Sequence, residues 1–197
     1  KMQPRSIELG ALYQVPMLVA STFTKAPGTL IHGEVSMEVR NRVRGVAYDL
    51  NVAKITVRRV PDRPGIAASL FEPLTAMGIS VDTIVQNTSE EDLTDLSFTV
   101  AGTDLLVALD TVRPAAQDIG APEVTQDAHL GKVSIVGMGM QNSPGYASRM
   151  FRALADASIN IDMITTSEIR ITCIVAEEQV QEAVRVLHRT FELEREK

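Results

Sequence analysis

An internal repeat constrains this chain more than any other feature. Asp62-Arg63-Pro64-Gly65 begins one copy and Asn142-Ser143-Pro144-Gly145 begins the other, with an offset of 80 residues. After each Pro-Gly, apolar residues recur at the i, i+3, i+4, i+7 spacing of one helical face. Self-similarity of this kind indicates that one supersecondary unit occurs twice. We therefore interpret the chain as a tandem duplication.

Each copy predicts the same succession of elements, which is strand, Pro-Gly loop, helix, strand, strand and helix. The first copy adds a fourth strand, so its order is βαββαβ. This order is the ferredoxin-like plan, an α+β fold with an antiparallel sheet and both helices on one face. The predicted strands are 54–60, 79–86, 93–100 and 122–128 in the first copy and 132–137, 159–166 and 168–175 in the second. The predicted second helices are 104–118, with Asp104 as N-cap, and 177–191.

The second copy has no fourth strand after its last helix. The short stretch 45–49, just before the first copy, could supply it, which would nest the first domain within the second. The predicted domains are 50–128 and 129–197, with the strand at 45–49 belonging to the latter. Residues 1–36 match neither copy and predict a short helix, an apolar strand at 16–23, a turn at 26–29 and the start of a charged linker at 34–44.

Composition excludes several classes of function. A net charge of −6 and a pI near 5.1 argue against binding to nucleic acid. No apolar run is long enough to span a bilayer and no signal segment opens the chain, so we expect a cytoplasmic protein. The one cysteine, Cys173, lies in an apolar run and predicts a buried thiol. The three histidines are scattered without ligand-like spacing, so we expect no metal site.

The chain lacks the residue patterns of catalysis. Neither a phosphate-binding G-x-x-x-x-G-K-[ST] loop nor a dinucleotide-binding G-x-G-x-x-G is present. The acidic pairs Glu90-Glu91 and Glu177-Glu178 fall at a predicted turn and helix start, where solvation and the helix dipole explain them. We therefore expect neither a catalytic residue nor a cofactor in this chain.

The first Pro-Gly loop is the segment best suited to bind a ligand. A helix N-terminus offers backbone N–H groups to a carboxylate, and Gly65 has no side chain to block its approach. Asp62 could pair with an ammonium group, so the loop suits a free amino acid. Alternatively, Pro-Gly only forms a tight turn and Asp62 caps the helix. Asn142 replaces Asp62 in the second copy, which favours a ligand site in the first copy, with Gln86 as a further hydrogen-bonding group.

At these residues the chain resembles the regulatory region of aspartate kinase, which consists of paired ACT domains. The resemblance rests on Gly45-Val46-Ala47, on 53–57, on Asp62-x-Pro64-Gly65-x-Ala67, on 82–87 with 95–99, and on 131–140 with 167–171. Residues 1–33 resemble the end of the kinase catalytic domain. The motif that opens that domain and helps bind the nucleotide is absent, so the resemblance implies a regulatory subunit or region.

The family binds threonine, and often lysine, as feedback inhibitors between ACT domains of neighbouring chains. The resemblance thus implies a homodimer and a catalytic alpha subunit as partner. The effector-binding residues that it implies are Asp62, Gly65, Ile66, Ala67, Ser80, Val81, Asp82 and Gln86 in the first copy and Tyr146, Ala147, Asn160, Ile161, Ser167 and Glu168 in the second. Ser80 stands where Asn is more usual, and Tyr146 is bulkier than expected at its position, so either could alter effector preference.

Three other hypotheses remain open at this point. The chain could be an assembly module that holds kinase chains together through sheet edges without a ligand. It could be an ACT pair that serves another amino-acid enzyme, although residues 1–33 argue against this. It could also be an independent enzyme, which the lack of catalytic patterns disfavours.

Overall fold

The computed structural model describes residues 6–7, 9–10, 13, 15–24, 26–32, 43–87, 92–137, 140 and 144–194. The chain divides into two units, Lys1–Arg40 and Asn41–Lys197. In the first unit, strands β1 (Met17–Val19) and β2 (Thr29–Ile31) pair antiparallel. The predicted strand at 16–23 is therefore shorter than expected. Most of the predicted linker lies outside the described residues.

The second unit contains both repeats. Its elements in chain order are β3 (Val43–Pro61), α1 (Ile66–Ala76), β4 (Ile84–Asn87), β5 (Leu93–Val100), α2 (Leu105–Asp118), β6 (Val124–Gly137), α3 (Tyr146–Asp156), β7 (Met163–Thr166), β8 (Arg170–Ala176) and α4 (Val180–Thr190). The strands form one six-stranded antiparallel sheet in the order β4-β5-β3-β6-β8-β7. Among the described helices, none is long and apolar enough to cross a membrane.

The two long central strands belong to both repeats. The second half of β3 pairs with β5, from Ala53↔Val100 to Pro61↔Leu93. Its first half pairs with the second half of β6, for example Val46↔Ile135. The strand predicted at 45–49 thus completes the second repeat, and the predicted nesting is confirmed. The predicted domain limits of 50–128 and 129–197 stay a prediction. The boundary between them falls inside β6, a strand that both repeats share.

Each repeat has its own apolar core between its half of the sheet and its two helices. In the first, Ile55 and Phe98 of the sheet pack with Leu70 of α1 and Leu109 of α2, and all are buried. The second is built in the same way from Ile135, Cys173, Leu154, Leu187 and Phe191. Alternate residues along the strands thus face the helices, as the ferredoxin-like plan requires.

Several predicted boundaries are wrong, most clearly in the second strands. Gly78 takes φ 72° after α1, and Ile79 N–H donates to the Leu74 carbonyl at 3.0 Å. Ile79 then packs onto the core from an irregular segment, so the strand forms only from Ile84. The second repeat shows the same difference, because its second strand was predicted from residue 159 but β7 starts at Met163. The third strand of that repeat starts two residues late, because Ser167 N–H turns back to the Arg170 carbonyl.

The second helices of both repeats also begin later than predicted. A short 3₁₀ turn, Gly102–Asp104 or Glu177–Gln179, precedes α2 and α4. Asp104 is the N-cap of α2, as predicted, but its side chain makes no capping hydrogen bond. Both helices also end close to their predicted limits, at Asp118 and Thr190.

Candidate ligand-binding site

The first Pro-Gly loop connects the end of β3 to α1. Asp62 N–H donates to the Asp92 carbonyl at 2.8 Å, which ties the loop to the strand that follows. Gly65 has φ 93° and is the N-cap of α1. Pro64 therefore precedes the N-cap, and the prediction that it is the first helical residue is wrong. The reason is the left-handed backbone of Gly65, after which the helix begins at Ile66, two residues later than predicted.

The start of α1 presents backbone donors without helical acceptors. The first i→i−4 bond joins Ser69 N–H to the Gly65 carbonyl at 3.0 Å. The amides of Ala67 and Ala68 precede that bond, so the helix itself offers them no acceptor. The helix has no side-chain cap, which leaves no support for Asp62 as a capping residue. Within the described residues, the exposed Asp62 carboxylate makes no hydrogen bond or ion pair.

The space in front of this loop is open. A Cβ placed on Gly65 would find no atom of the protein within 4 Å. Gly145, which is the N-cap of α3, has φ 106° and the same open space. The two repeats therefore begin their first helices in one way, and both leave room for another molecule at the first turn.

The predicted first-copy residues do not all converge. Ser80, Val81 and Asp82 follow the C-terminal end of α1, whereas the Asp62 loop precedes its N-terminal end. A helix of 11 residues separates the two groups by about 16 Å. Gln86 pairs with Leu96 and lies toward the loop end of β4. One chain thus brings Gln86 toward Asp62, Gly65, Ile66 and Ala67, but not Ser80, Val81 or Asp82.

The second copy is divided in the same manner. Tyr146 and Ala147 form the first turn of α3, and Ser167 with Glu168 lies in the turn between β7 and β8. Asn160 and Ile161 follow the other end of α3. The Tyr146 ring stacks on Phe191, with ring centroids 6.3 Å apart and an interplanar angle of 14°. Its bulk is therefore directed against the core. Asn142 lies outside the described residues.

The two Pro-Gly loops lie at opposite ends of the sheet. One follows the C-terminal end of β3 and the other follows the C-terminal end of β6, and these strands are antiparallel. Val43, at the start of β3, pairs with Gly137, and β3 has 19 residues. At the rise of an extended strand, the two ends of β3 are up to roughly 60 Å apart. The two loops cannot form a joint site within one chain.

Sequence reasoning missed two ion pairs of the sheet's central strands, and of their four residues it had predicted only Asp82 as a site residue. Lys54 Nζ lies 2.7 and 2.6 Å from the two carboxylate oxygens of Asp162. Lys132 Nζ lies 2.5 Å from Oδ2 of Asp82. Each ion pair joins one repeat to the other. The sequence does contain a signal for these pairs, because both copies have a lysine in the first strand and an aspartate just before the second. It does not reveal that each lysine pairs with the aspartate of the other copy.

Other chemistry is absent from the described part of the chain. No group of three or more His, Cys, Asp and Glu side chains there could hold a metal ion. Cys173 is buried, and desolvation raises the pKa of its thiol to about 12. A groove of about 600 Å³ is lined by Leu50, His129, Ala176, Glu177, Glu178 and Gln181. None of the predicted effector-binding residues lines it.

Comparison with protein families identifies both repeats. Residues 48–115 match the ACT domain family, and residues 133–191 match a second ACT domain model. The first match contains the whole of the Asp62 loop and α1. The second contains α3 with Tyr146 and Ala147.

Comparison with curated proteins extends the similarity to the whole chain. It is 45% identical to an aspartokinase of Pseudomonas aeruginosa over 196 residues, which is 98% of this chain and 47% of that protein. An aspartokinase of Thermus thermophilus is 39% identical over 98% of this chain and 48% of its own length. The chain thus spans about half the length of the curated relatives that it matches.

Solved structures match the two repeats. The regulatory subunit of aspartate kinase from Thermus thermophilus, in a ligand-free form, is 39% identical with a TM-score of 0.73. The match covers 76% of this chain and 99% of that one. A structure of aspartokinase alpha and beta subunits is 41% identical with a TM-score of 0.71 and the same coverage. The chain therefore belongs to the family of aspartate kinase regulatory subunits that are built from two ACT domains.

Proposed function

We propose that this chain is the effector-binding regulatory part of an aspartate kinase, and that its effector is threonine, alone or together with lysine. The observation that carries the proposal is the Asp62–Gly65 loop. There, an exposed carboxylate without a partner among the described residues lies three residues before the N-cap of α1, and the space around that N-cap, Gly65, is open. A free amino acid carries an ammonium and a carboxylate on the same carbon, so it needs an acceptor and several donors close together.

Each group of the ligand has a suitable partner at the loop. The amides of Ala67 and Ala68 and the positive end of the α1 dipole suit the ligand carboxylate. Asp62 suits the ammonium group, since a charge-assisted bond is about twice as strong as a neutral one. Gln86 can both donate to and accept from the hydroxyl of threonine. The second loop has Asn142 in place of Asp62, so it should bind an ammonium group more weakly.

The separation of the candidate residues along α1 favours a site between two chains. Ser80, Val81 and Asp82 are about 16 Å from the loop of their own repeat, as are Asn160 and Ile161 in the second. A second copy of the chain could place its loop against these segments. We therefore propose a homodimer formed through the ACT domains, with each effector contacted by both chains. Tyr146, Ala147, Ser167 and Glu168 form the corresponding loop region of the second repeat.

A ligand held between two chains favours one arrangement of those chains over another. It can shift an equilibrium only by its difference in affinity for the two states. The proposed consequence is feedback inhibition of the first step of aspartate-family amino-acid biosynthesis. The phosphoryl transfer from ATP to aspartate would be catalysed by a catalytic alpha subunit. A relative of this chain has been crystallised as alpha and beta subunits.

Calorimetric titration of the chain with threonine, with lysine and with both tests the proposal. We expect threonine to bind, and Asp62→Asn to weaken binding by roughly 10-fold or more, because the change removes the charge and keeps the shape. Asp110→Asn, on the exposed side of α2, is the matched control and should bind as the unaltered chain does. Asn142→Ala should largely retain binding. Absence of heat at millimolar threonine, or an equal loss of threonine affinity in the Asp62 and Asn142 variants, would contradict the proposed function.

One observation favours a second candidate, an assembly module that needs no ligand. Ile84 and Ile164 occupy corresponding positions on the two edge strands of the sheet and are 53% and 46% exposed. Exposed apolar edges are prone to pair with another sheet. This candidate predicts one dimer mass in light scattering with and without threonine, together with no heat of binding. Any threonine-dependent change in mass would speak for the regulatory proposal.

A further inference from the structure

The two ion pairs at the centre of the sheet are exchanged between the repeats. Lys54 belongs to the first repeat and binds Asp162 of the second, while Lys132 belongs to the second and binds Asp82 of the first. Both lysine side chains are only 21% exposed, and the aspartates are 31% and 46% exposed. These contacts are therefore more shielded from water than the exposed ion pairs on the helices, such as Arg152–Asp156.

Each aspartate is attached to its own repeat through the backbone. Asp82 N–H donates to the Thr99 carbonyl at 3.0 Å, and Thr99 is the strand partner of Lys54. Asp162 N–H donates to the Ile174 carbonyl at 2.8 Å, and Ile174 is the strand partner of Lys132. Each segment thus has a backbone bond within its own repeat and a side-chain bond from the other, in addition to the contact of Val81 or Ile161 with its core.

Each lysine also has an aspartate as its register partner, with which it forms no ion pair. Asp127 is the register partner of Lys54, and Asp49 is the register partner of Lys132. Asp127 instead accepts from His129 N–H at 3.0 Å, and Asp49 accepts from Asn51 N–H at 2.9 Å. These local turns sit where the register of β3 and β6 shifts. Each of those carboxylates accepts a local backbone N–H, whereas the lysines extend to the segments before β4 and β7.

From this geometry we infer that Lys54 and Lys132 are positioning residues, each of which holds the candidate effector-contacting segment of the opposite repeat. Lys132 fixes residues 80–82 through Asp82, and Lys54 fixes residues 160–162 through Asp162. Since β3 and β6 pair directly, a displacement of one segment is resisted by the strand that supports the other. The role in effector binding rests on the function proposed above, but the positioning itself does not.

Amide hydrogen exchange measured by NMR on the full chain without ligand tests the positioning. In Lys132→Met, the Asp82 amide should exchange roughly three- to tenfold faster, while the Asp162 amide keeps its rate. In Lys54→Met the pattern should reverse. Lys→Arg at either position should restore most of the protection. Arg58→Met is the matched control, because it removes two ion pairs of β3, with Asp95 and with Glu123, without touching either segment.

Threonine titration of the same variants tests the role in binding. We expect both Lys→Met variants to bind threonine several-fold more weakly and the Arg variants to bind nearly normally. Unchanged exchange at Asp82 and Asp162, or faster exchange in the lysine's own repeat alone, overturns the positioning. Altered exchange with unaltered threonine affinity overturns its role in binding. If even the unaltered chain shows no threonine binding, the proposed function fails, whereas the exchange pattern still decides on the positioning.

Discussion

Replacing Gly65 or Gly145 by alanine distinguishes two roles of these glycines, which are to form the backbone turn and to leave space for a ligand. Both glycines have a left-handed backbone, with φ 93° and 106°, and both have no atom within 4 Å of an added Cβ. Each substitution should therefore carry the same backbone cost and no steric clash. That cost is about 1–2 kcal/mol for an L-residue. For a chain of this size it lowers the melting temperature by roughly 2–8 °C.

The two substitutions should differ in ligand binding alone. In Gly65→Ala the new methyl group would occupy the space through which a ligand carboxylate reaches the amides of Ala67 and Ala68. Threonine affinity should then fall at least about tenfold, a difference of about 1.4 kcal/mol. Gly145→Ala should bind threonine as the unaltered chain does. Calorimetric titration and thermal unfolding of both variants give the two quantities. A Gly65→Ala chain that binds normally would refute the reasoning, as would clearly unequal losses of stability.

Two further predictions concern the second repeat. Gly131→Ala should lower the free energy of unfolding by about 1–3 kcal/mol, because its Cβ would lie 2.5 Å from Cγ2 of buried Val180 and 3.2 Å from the Asp49 carbonyl oxygen. Denaturant unfolding measures this loss, and the double variant Gly131→Ala/Val180→Ala should lose less stability than the sum of the two single variants. Cys173 should resist thiol reagents at pH 8 until the chain unfolds, because burial raises its pKa from 9.0 to about 12. Thiol reactivity that does not increase on unfolding would contradict this prediction. Above pH 9.0 the unfolded thiol loses its proton while the folded one keeps it, so the contribution of Cys173 to the free energy of unfolding should fall as pH rises.

Repetition in the sequence was enough to predict the fold. The Pro-Gly signal, the helical apolar spacing and the missing last strand of the second copy together led to the nested ferredoxin-like plan. Local errors arose where an apolar residue packs without regular structure. Ile79 and Val81 contact the core from an irregular segment, and alternation alone cannot distinguish that from a strand. Pro64 was misplaced because the left-handed backbone of Gly65 is decided by the turn and not by proline preference.

The candidate site was predictable only within each local segment. Asp62, Gly65 and the first-turn amides follow one another in sequence, so their proximity needs no knowledge of the fold. The exchanged ion pairs join residues 108 and 50 positions apart. Lys54 has Asp127 as its register partner, and nothing local indicates that it pairs with Asp162 instead. Pairing at such separation is set by how the two repeats share β3 and β6.

Because β3 and β6 run through both repeats, paired strands and not a linker join the two ACT domains. Cutting the chain at residue 129 would remove 43–50 from the second half, which would then expose the flank of β6 to any other polypeptide. We therefore expect a displacement of β3 within one repeat to disturb the β3–β6 pairing that the other repeat shares. Losing either copy of the duplication would remove half of both central strands, so each repeat depends on the other for its part of the sheet.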